Sequence, residues 1–294
     1  MTQAYSGDRG GPTALRMRVG ARLRRYRLAR QISREDAGWH IRASESKISR
    51  MELGRVPFKE RDVADLLTLY GVDGAERQEL LTLVRQANAP AWWQSLADVV
   101  PPWSTAFLGL EQAASLIRTY DLHFVPALLQ TPEYARALLE MSCAAPPEEL
   151  DRRVHLRQLR QRVLRGTSPA VLWAAVDEAA LHRELGGPEV MRRQLEALAE
   201  ACRAPNIRLH IGSFRVDALA TAAVPFTLLR FAEPELPDTV YLEQPTGATY
   251  VDRPVDVEQY TLAVDRACAG ATPPDRAASV IEEVLRTYAA LAMP

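Results

Sequence analysis

The chain has 294 residues and a mass of 32.7 kDa, of which 47% are hydrophobic and 25% charged, the balance of an ordinary globular protein long enough for two domains. No apolar run approaches the ~20 residues that cross a bilayer, and residues 1–12 lack the apolar core of a signal peptide, so neither a membrane span nor secretion is expected. The net charge of −1 hides an asymmetry: residues 1–88 carry seventeen basic and eleven acidic side chains, a net +6, which leaves −7 on residues 89–294.

A basic module on an acidic body suits a protein that meets a polyanion with one part and does something else with the other. Residues 1–12 read as a flexible tail. From Thr13, Leu15, Val19, Leu23 and Tyr26 recur at three- and four-residue spacing and draw one face of a helix that ends near Gln31, with Arg18, Arg22, Arg25 and Arg30 on the other. Ser33-Arg34-Glu35-Asp36 has the form of a capping box, which predicts a second helix over Arg34 to His40. Ser44 can cap a third helix through Leu53, ended by Gly54 in the left-handed conformation. Two short helices so briefly joined read as helix-turn-helix.

Residues 13–88, above all Ile32 to Arg55 and the ending Ile48-Ser49-Arg50-Met51-Glu52-Leu53-Gly54, resemble the phage-repressor-like (XRE) class of helix-turn-helix regulators. The resemblance implies that Ser44 begins the recognition helix and that Glu45, Ser46, Lys47, Ser49 and Arg50 face the major groove of double-stranded DNA or its flanking phosphates, with Arg34 and Arg55 added at the edges. It also maps the family's internal ion pair onto Arg27 and Glu52. Two positions depart from the pattern: Arg42 stands where the turn usually has Gly, and Ala37 where the second helix usually has a large aliphatic residue, whose volume Trp39 could fill. Arg50 could read guanine and Glu45 cytosine, or either could only position the helix. The bland alternative is that Lys47 and Arg50 are solvated residues of a plain helical bundle.

Lys59 to Tyr70 and Ala75 to Asn88 are predicted scaffold helices, the first stopped by Gly71. Residues 89–108, with Trp92, Trp93, Trp103 and several prolines, read as a linker packed on the body. Its indoles are better explained as interface core than as a ligand cage.

The second module, residues 109–294, mixes helices and strands. Helices are expected at Glu111 to Thr119, from Thr131 onward, and at Pro146 to Leu164, Asp177 to Glu184, Pro188 to Ala201, Asp256 to Ala269 and Asp275 to Leu291. Strands are expected at Val171 to Val176, Ile207 to Ile211, Phe226 to Phe231 and Thr239 to Leu242. The fold class is therefore α+β overall: an all-α helix-turn-helix module, then a mixed α/β domain with a small sheet covered by helices.

This half, through Glu111 to Tyr120, Phe124 to Thr131, Asp177 to Leu181, Gly186-Gly187-Pro188 and Val240 to Glu243, resembles the C-terminal domain of unknown function of many actinomycete XRE-type regulators. The arginine bias fits a GC-rich genome, only Lys47 and Lys59 being lysine. Such regulators are often encoded beside small partner proteins, and some are described as antitoxin-like. The resemblance implies partner binding or signal sensing for this half and assigns it no catalytic residue.

Glu178 and His182, four apart with Asp177 adjacent, form a weak acid/base or metal pair for which His210 is a candidate third ligand; the plainer reading makes Asp177 a helix cap. No GxSxG, P-loop or GxGxxG string occurs, and Cys143, Cys202 and Cys268 are far apart, so neither an enzyme nor a cofactor is expected and the compartment is a reducing cytoplasm. Arg152, Arg153, Arg157, Arg160, Arg162 and Arg165 read as the solvated face of one helix rather than a second contact for DNA or an acidic partner. The expected function is that of a cytoplasmic, homodimeric, DNA-binding transcriptional regulator controlled through its C-terminal domain. The alternatives are an antitoxin-type protein that binds a small partner and autoregulates, or a sensor of a small-molecule effector.

Overall fold

The computed structural model describes residues 11–213 and 224–291. The N-terminal module is built from α1 (Pro12–Ala29), α2 (Arg34–His40), α3 (Glu45–Glu52), α4 (Glu60–Tyr70) and α5 (Gly74–Ala87). Their apolar stripes close on one core, in which Val19 and Leu23 of α1 meet Ile48 and Met51 of α3, Val63 and Leu66 of α4, and Leu80 and Val84 of α5. Gly71 takes a φ of +68° and ends α4 by returning its N–H to the last turn.

The C-terminal half follows as α6 (Thr105–Ala113), β1 (Leu116–Asp121), α7 (Pro132–Ser142), α8 (Pro147–Arg160), β2 (Val171–Asp177), α9 (Ala179–His182), α10 (Pro188–Ala201), β3 (Ile207–Gly212), β4 (Phe226–Arg230), β5 (Thr239–Gln244), β6 (Gly247–Val251), α11 (Pro254–Gly270) and α12 (Pro274–Leu291). The strands form one mixed sheet in the order β3-β2-β1-β4-β5-β6. β3, β2 and β1 run parallel, and β4, β5 and β6 continue the sheet antiparallel. Alternation sends Ile117, Leu172, Ala174, Val176, Leu209 and Ile211 to one face, under α6, α10 and α12. Tyr120, Ala175, Phe226, Leu228 and Val240 point to the other, under Val257, Val264 and Ala267 of α11. With helices on both faces, β2 reads as a continuous apolar run rather than an alternating one.

α1 belongs to both halves. Val19 and Leu23 sit in the helical core, whereas Ala14, one turn earlier, packs with Phe107 and Leu110 of α6 in the core of the C-terminal half. The helices approach so closely that a β-carbon on Gly109 would lie 2.2 Å from Thr13 Oγ1. Arg22 adds an ionic bridge, reaching Glu79 at 2.7 Å and Glu235 at 3.6 Å. Trp93, Val100 and Leu108 pack with Leu156 of α8, so the tryptophan segment is laid on the body.

Several expectations need correction. The helix foreseen over Glu111 to Thr119 ends at Ala113, and Leu116 onward is the central strand β1. Ile117, Thr119 and Tyr120 are β-prone, and pairing on both sides outweighs the helical spacing of the preceding alanines. α6 begins at Thr105, inside the segment read as linker. The helix foreseen at Asp177 to Glu184 shrinks to α9, because Asp177 ends β2 and its Oδ1 accepts the Ala179 N–H at 2.8 Å. β6 was not foreseen; it pairs with β5 across a two-residue turn, Gln244 opposite Gly247. Of the tail read over 1–12, residues 1–10 lie outside the described residues, while Gly11 is buried and Pro12 opens α1.

Candidate nucleic-acid interface

Ser33 accepts the Asp36 N–H at 2.9 Å and starts α2; the Asp36 carboxylate reaches back to the Ser33 hydroxyl at 2.6 Å. Ser44 accepts the Lys47 N–H at 3.2 Å and starts α3. Between them the chain turns through Arg42 at a φ of +54°, the left-handed conformation the turn demands. Gly38 lets the turn close: its missing β-carbon would stand 2.6 Å from the Ala43 carbonyl oxygen, which receives no room from any larger residue.

α3 turns Ile48, Met51 and Glu52 inward and leaves Ser44, Glu45, Ser46 and Arg50 exposed, with Ser49 half-buried beside them. Glu52 anchors the helix. It accepts from Arg27 Nε at 2.5 Å and Nη2 at 3.0 Å, and Arg27 also donates to the Ile32 carbonyl at 2.8 Å. The carboxylate bond holds the Arg27 pKa above its ordinary value against the opposing effect of burial. Gly20 of α1 permits the crossing beneath, since a β-carbon there would be 2.5 Å from the Met51 carbonyl oxygen.

The basic residues expected at the DNA divide into two groups. Arg34 donates to Glu52 Oε2 at 3.2 Å and joins the anchor, and Lys47 Nζ is held by Asp62 Oδ2 of α4 at 2.5 Å. Among the described residues, Arg50 makes one hydrogen bond, donating to the Ser46 carbonyl at 3.4 Å, and it remains exposed with Arg55. Among the described residues, no carboxylate lies within ion-pair distance of either. Trp39 does not fill the space beside Ala37: it is 83% exposed on α2, and Ala37 is itself fully buried. Leu28 and Leu53 are also exposed in this module.

The other candidates lie elsewhere. His182 Nε2 stands 3.6 Å from Glu178 Oε1, while His210 is on β3, on the opposite face of the sheet toward α11. Among the described residues no group of three or more His, Cys, Asp or Glu is placed to hold a metal, and no helix is long and apolar enough to cross a membrane. Of the arginines read as one solvated face, Arg152, Arg162 and Arg165 are exposed, whereas Arg157 and Arg160 turn inward. Arg160 makes a two-point bond to buried Glu111 at 2.8 Å, Arg157 donates to Gln130 Oε1 at 2.6 Å, and Arg152 bonds the Ser95 carbonyl at 2.9 Å. The amphipathic pattern predicted a helix but could not tell which arginines would find acids inside.

Residues 18–80 match a helix-turn-helix domain family, and residues 104–283 match a family described as a domain of unknown function, DUF5753. No curated protein and no solved structure matches the chain. The first match spans α2, the turn and α3; the second spans α6 and the whole sheet.

Proposed function

The chain belongs to the DUF5753 family and carries a helix-turn-helix domain ahead of it; on that basis we propose that it is a cytoplasmic, sequence-specific transcriptional regulator of the XRE type, with α3 in the major groove of double-stranded DNA. The observation that carries this reading is the outward arc of Ser44, Glu45, Ser46, Ser49 and Arg50 on a capped helix whose inner face is fixed by Glu52 and Arg27. A helix so held presents its side chains at the cost of little ordering on binding. Arg50 is the reading residue, Arg55 and the α3 N-terminus meet phosphates, and Lys47 and Arg34 act first as supports.

The C-terminal half dimerises and controls the domain, and no catalytic role belongs to this reading. The actinomycete source and the kinship with antitoxin-like regulators rest on the sequence resemblance. Control by a small ligand is favoured over control by a partner protein by a half-open cavity with polar lining in the sheet domain. Selection of bound duplexes from a random library, followed by titration of the enriched duplex, tests the proposal: a two-fold symmetric site with half-sites about 34 Å apart supports it, and the absence of any enriched sequence would refute sequence-specific binding.

A further inference from the structure

A cavity of about 190 Å³ opens on the face of the sheet covered by α6 and α8. Thr119, Thr227 and Tyr241, paired in register across β1, β4 and β5, form its floor; Phe107 and Glu111 of α6 and Arg157 and Arg160 of α8 form its walls. It lies at the carboxyl end of β1, where the parallel half of the sheet meets the antiparallel half. In open α/β sheets the crevice beyond the carboxyl ends of the strands, where the winding changes, is the place where ligands bind.

The polar groups around it are unequally satisfied. Arg160 is consumed by Glu111, which takes both of its forks. Arg157 is not: its guanidinium makes one hydrogen bond among the described residues, to Gln130, and so holds further donors for a guest. Removal from water pushes it down to about 10, the mark of a cation without an adequate counter-charge. Asp121, the last residue of β1, has a buried Oδ2 that accepts no hydrogen bond of normal geometry from the described residues. Phe107 and Tyr241 stack at 4.1 Å and give the cavity an apolar wall.

We propose that this cavity binds a small monoanionic organic acid, its carboxylate paired with Arg157 and its apolar body against Phe107 and Tyr241. A carboxylate matches the planar fork of the guanidinium. A doubly charged phosphate fits poorly, because Glu111, Asp121 and Glu243 line the same space and one guanidinium alone is uncommitted. The volume falls below the usual ~300–1,000 Å³ of ligand sites, which sets a limit at a one-ring compound.

The site has a structural route to the DNA-binding half. α6 carries Phe107 and Glu111 into the cavity and packs through Gly109 on Thr13 of α1; α1 in turn packs through Gly20 on the Met51 backbone of α3. A guest that displaces α6 therefore bears on the helix that presents Arg50. This second step rests on the proposed regulator function; the site itself does not.

Calorimetric titration of the full chain with sodium benzoate, with benzamide and with inorganic phosphate tests the site without DNA. Saturable benzoate binding is expected, with benzamide and phosphate weaker by about tenfold or more, the worth of one charge-assisted pair. Arg157→Gln should abolish binding, and Arg157→Lys should restore part of it. Thr227→Phe should block the cavity from β4 without touching Arg157, which guards against a misfolded Arg157 variant. No saturable benzoate binding, equal binding of benzamide, or unchanged binding in a folded Arg157→Gln and Thr227→Phe pair would each overturn the site. Anisotropy with labelled duplex, with and without benzoate, decides the coupling separately: benzoate bound with no change in DNA affinity overturns the route through α6 and leaves the site standing. A chain that binds benzoate but no DNA overturns the regulator reading alone.

Discussion

Arg27 and Glu52 face each other inside the N-terminal core as a two-point ion pair, each only 5% exposed, and so tie the first helix to the end of the third. Removing Glu52 leaves the Arg27 charge buried with Arg34 beside it. Glu52→Ala is therefore expected to destabilise the full chain by about 3–5 kcal/mol, most of it the penalty of the abandoned cation rather than the worth of the pair. Urea denaturation followed by circular dichroism measures it; a loss below about 1 kcal/mol would show that the guanidinium finds water instead.

Arg42 occupies the left-handed corner of the turn at a φ of +54°, where its β-carbon crowds the following carbonyl. The side chain is exposed and no tertiary packing opposes its removal. Arg42→Gly should then stabilise the module by about 1 kcal/mol, reduced by the entropy that Gly adds to the unfolded chain. A fall in the thermal midpoint of this variant would mean that Arg42 makes a favourable contact which offsets its strain.

The turn, both caps and the partners of the Arg27 pair were legible in the sequence, because each depends on residue type at short spacing or on a family pattern. Gly20 was not. It is needed because the distant Met51 carbonyl passes close by, which local patterning does not encode. The same holds for α8: its charges fixed a helix, while the acid at Glu111 that draws Arg160 inward is 49 residues away. Ile117 to Tyr120 was misread for a related reason, since a central strand is decided by its neighbours rather than by its own propensity.

Lys47 and Arg50 should behave differently at DNA although they sit one turn apart. Arg50→Ala removes an uncommitted cation and is expected to weaken binding and, if the contact is to phosphate, to lower the salt slope by about one. Lys47 is already paired with Asp62. Lys47→Ala should cost less than Arg50→Ala, whereas Asp62→Ala should release the ammonium and strengthen binding to nonspecific duplex at low salt. Equal losses for the two alanine variants in a fluorescence titration would place Lys47 directly on the duplex.

Asp121 makes stability depend on pH in a direction opposite to that of most carboxylates. Burial raises its pKa from 3.8 to about 7, with only the Thr119 hydroxyl pulling the other way. The groups that share its cavity, Glu111, Arg157, Arg160 and Glu243, include two acids, and Arg160 is already spent on one of them. Between those two pH values the folded chain holds a proton that the unfolded chain has released, so stability falls as pH rises through the interval. It is unaffected by this group below about 4, and the full penalty, on the order of 4 kcal/mol, is reached above about 7. Exposed carboxylates held by arginine work in the other sense: Glu189, bonded to Arg192 and Arg193, is lowered to about 2. The contribution of Asp121 is therefore isolated by difference. Asp121→Asn keeps the shape and cannot ionise, so the variant should match the natural chain at pH 4, where denaturation of both is measurable, and exceed it increasingly toward pH 8. Parallel pH profiles for the two proteins would show that the carboxyl has found a partner or water.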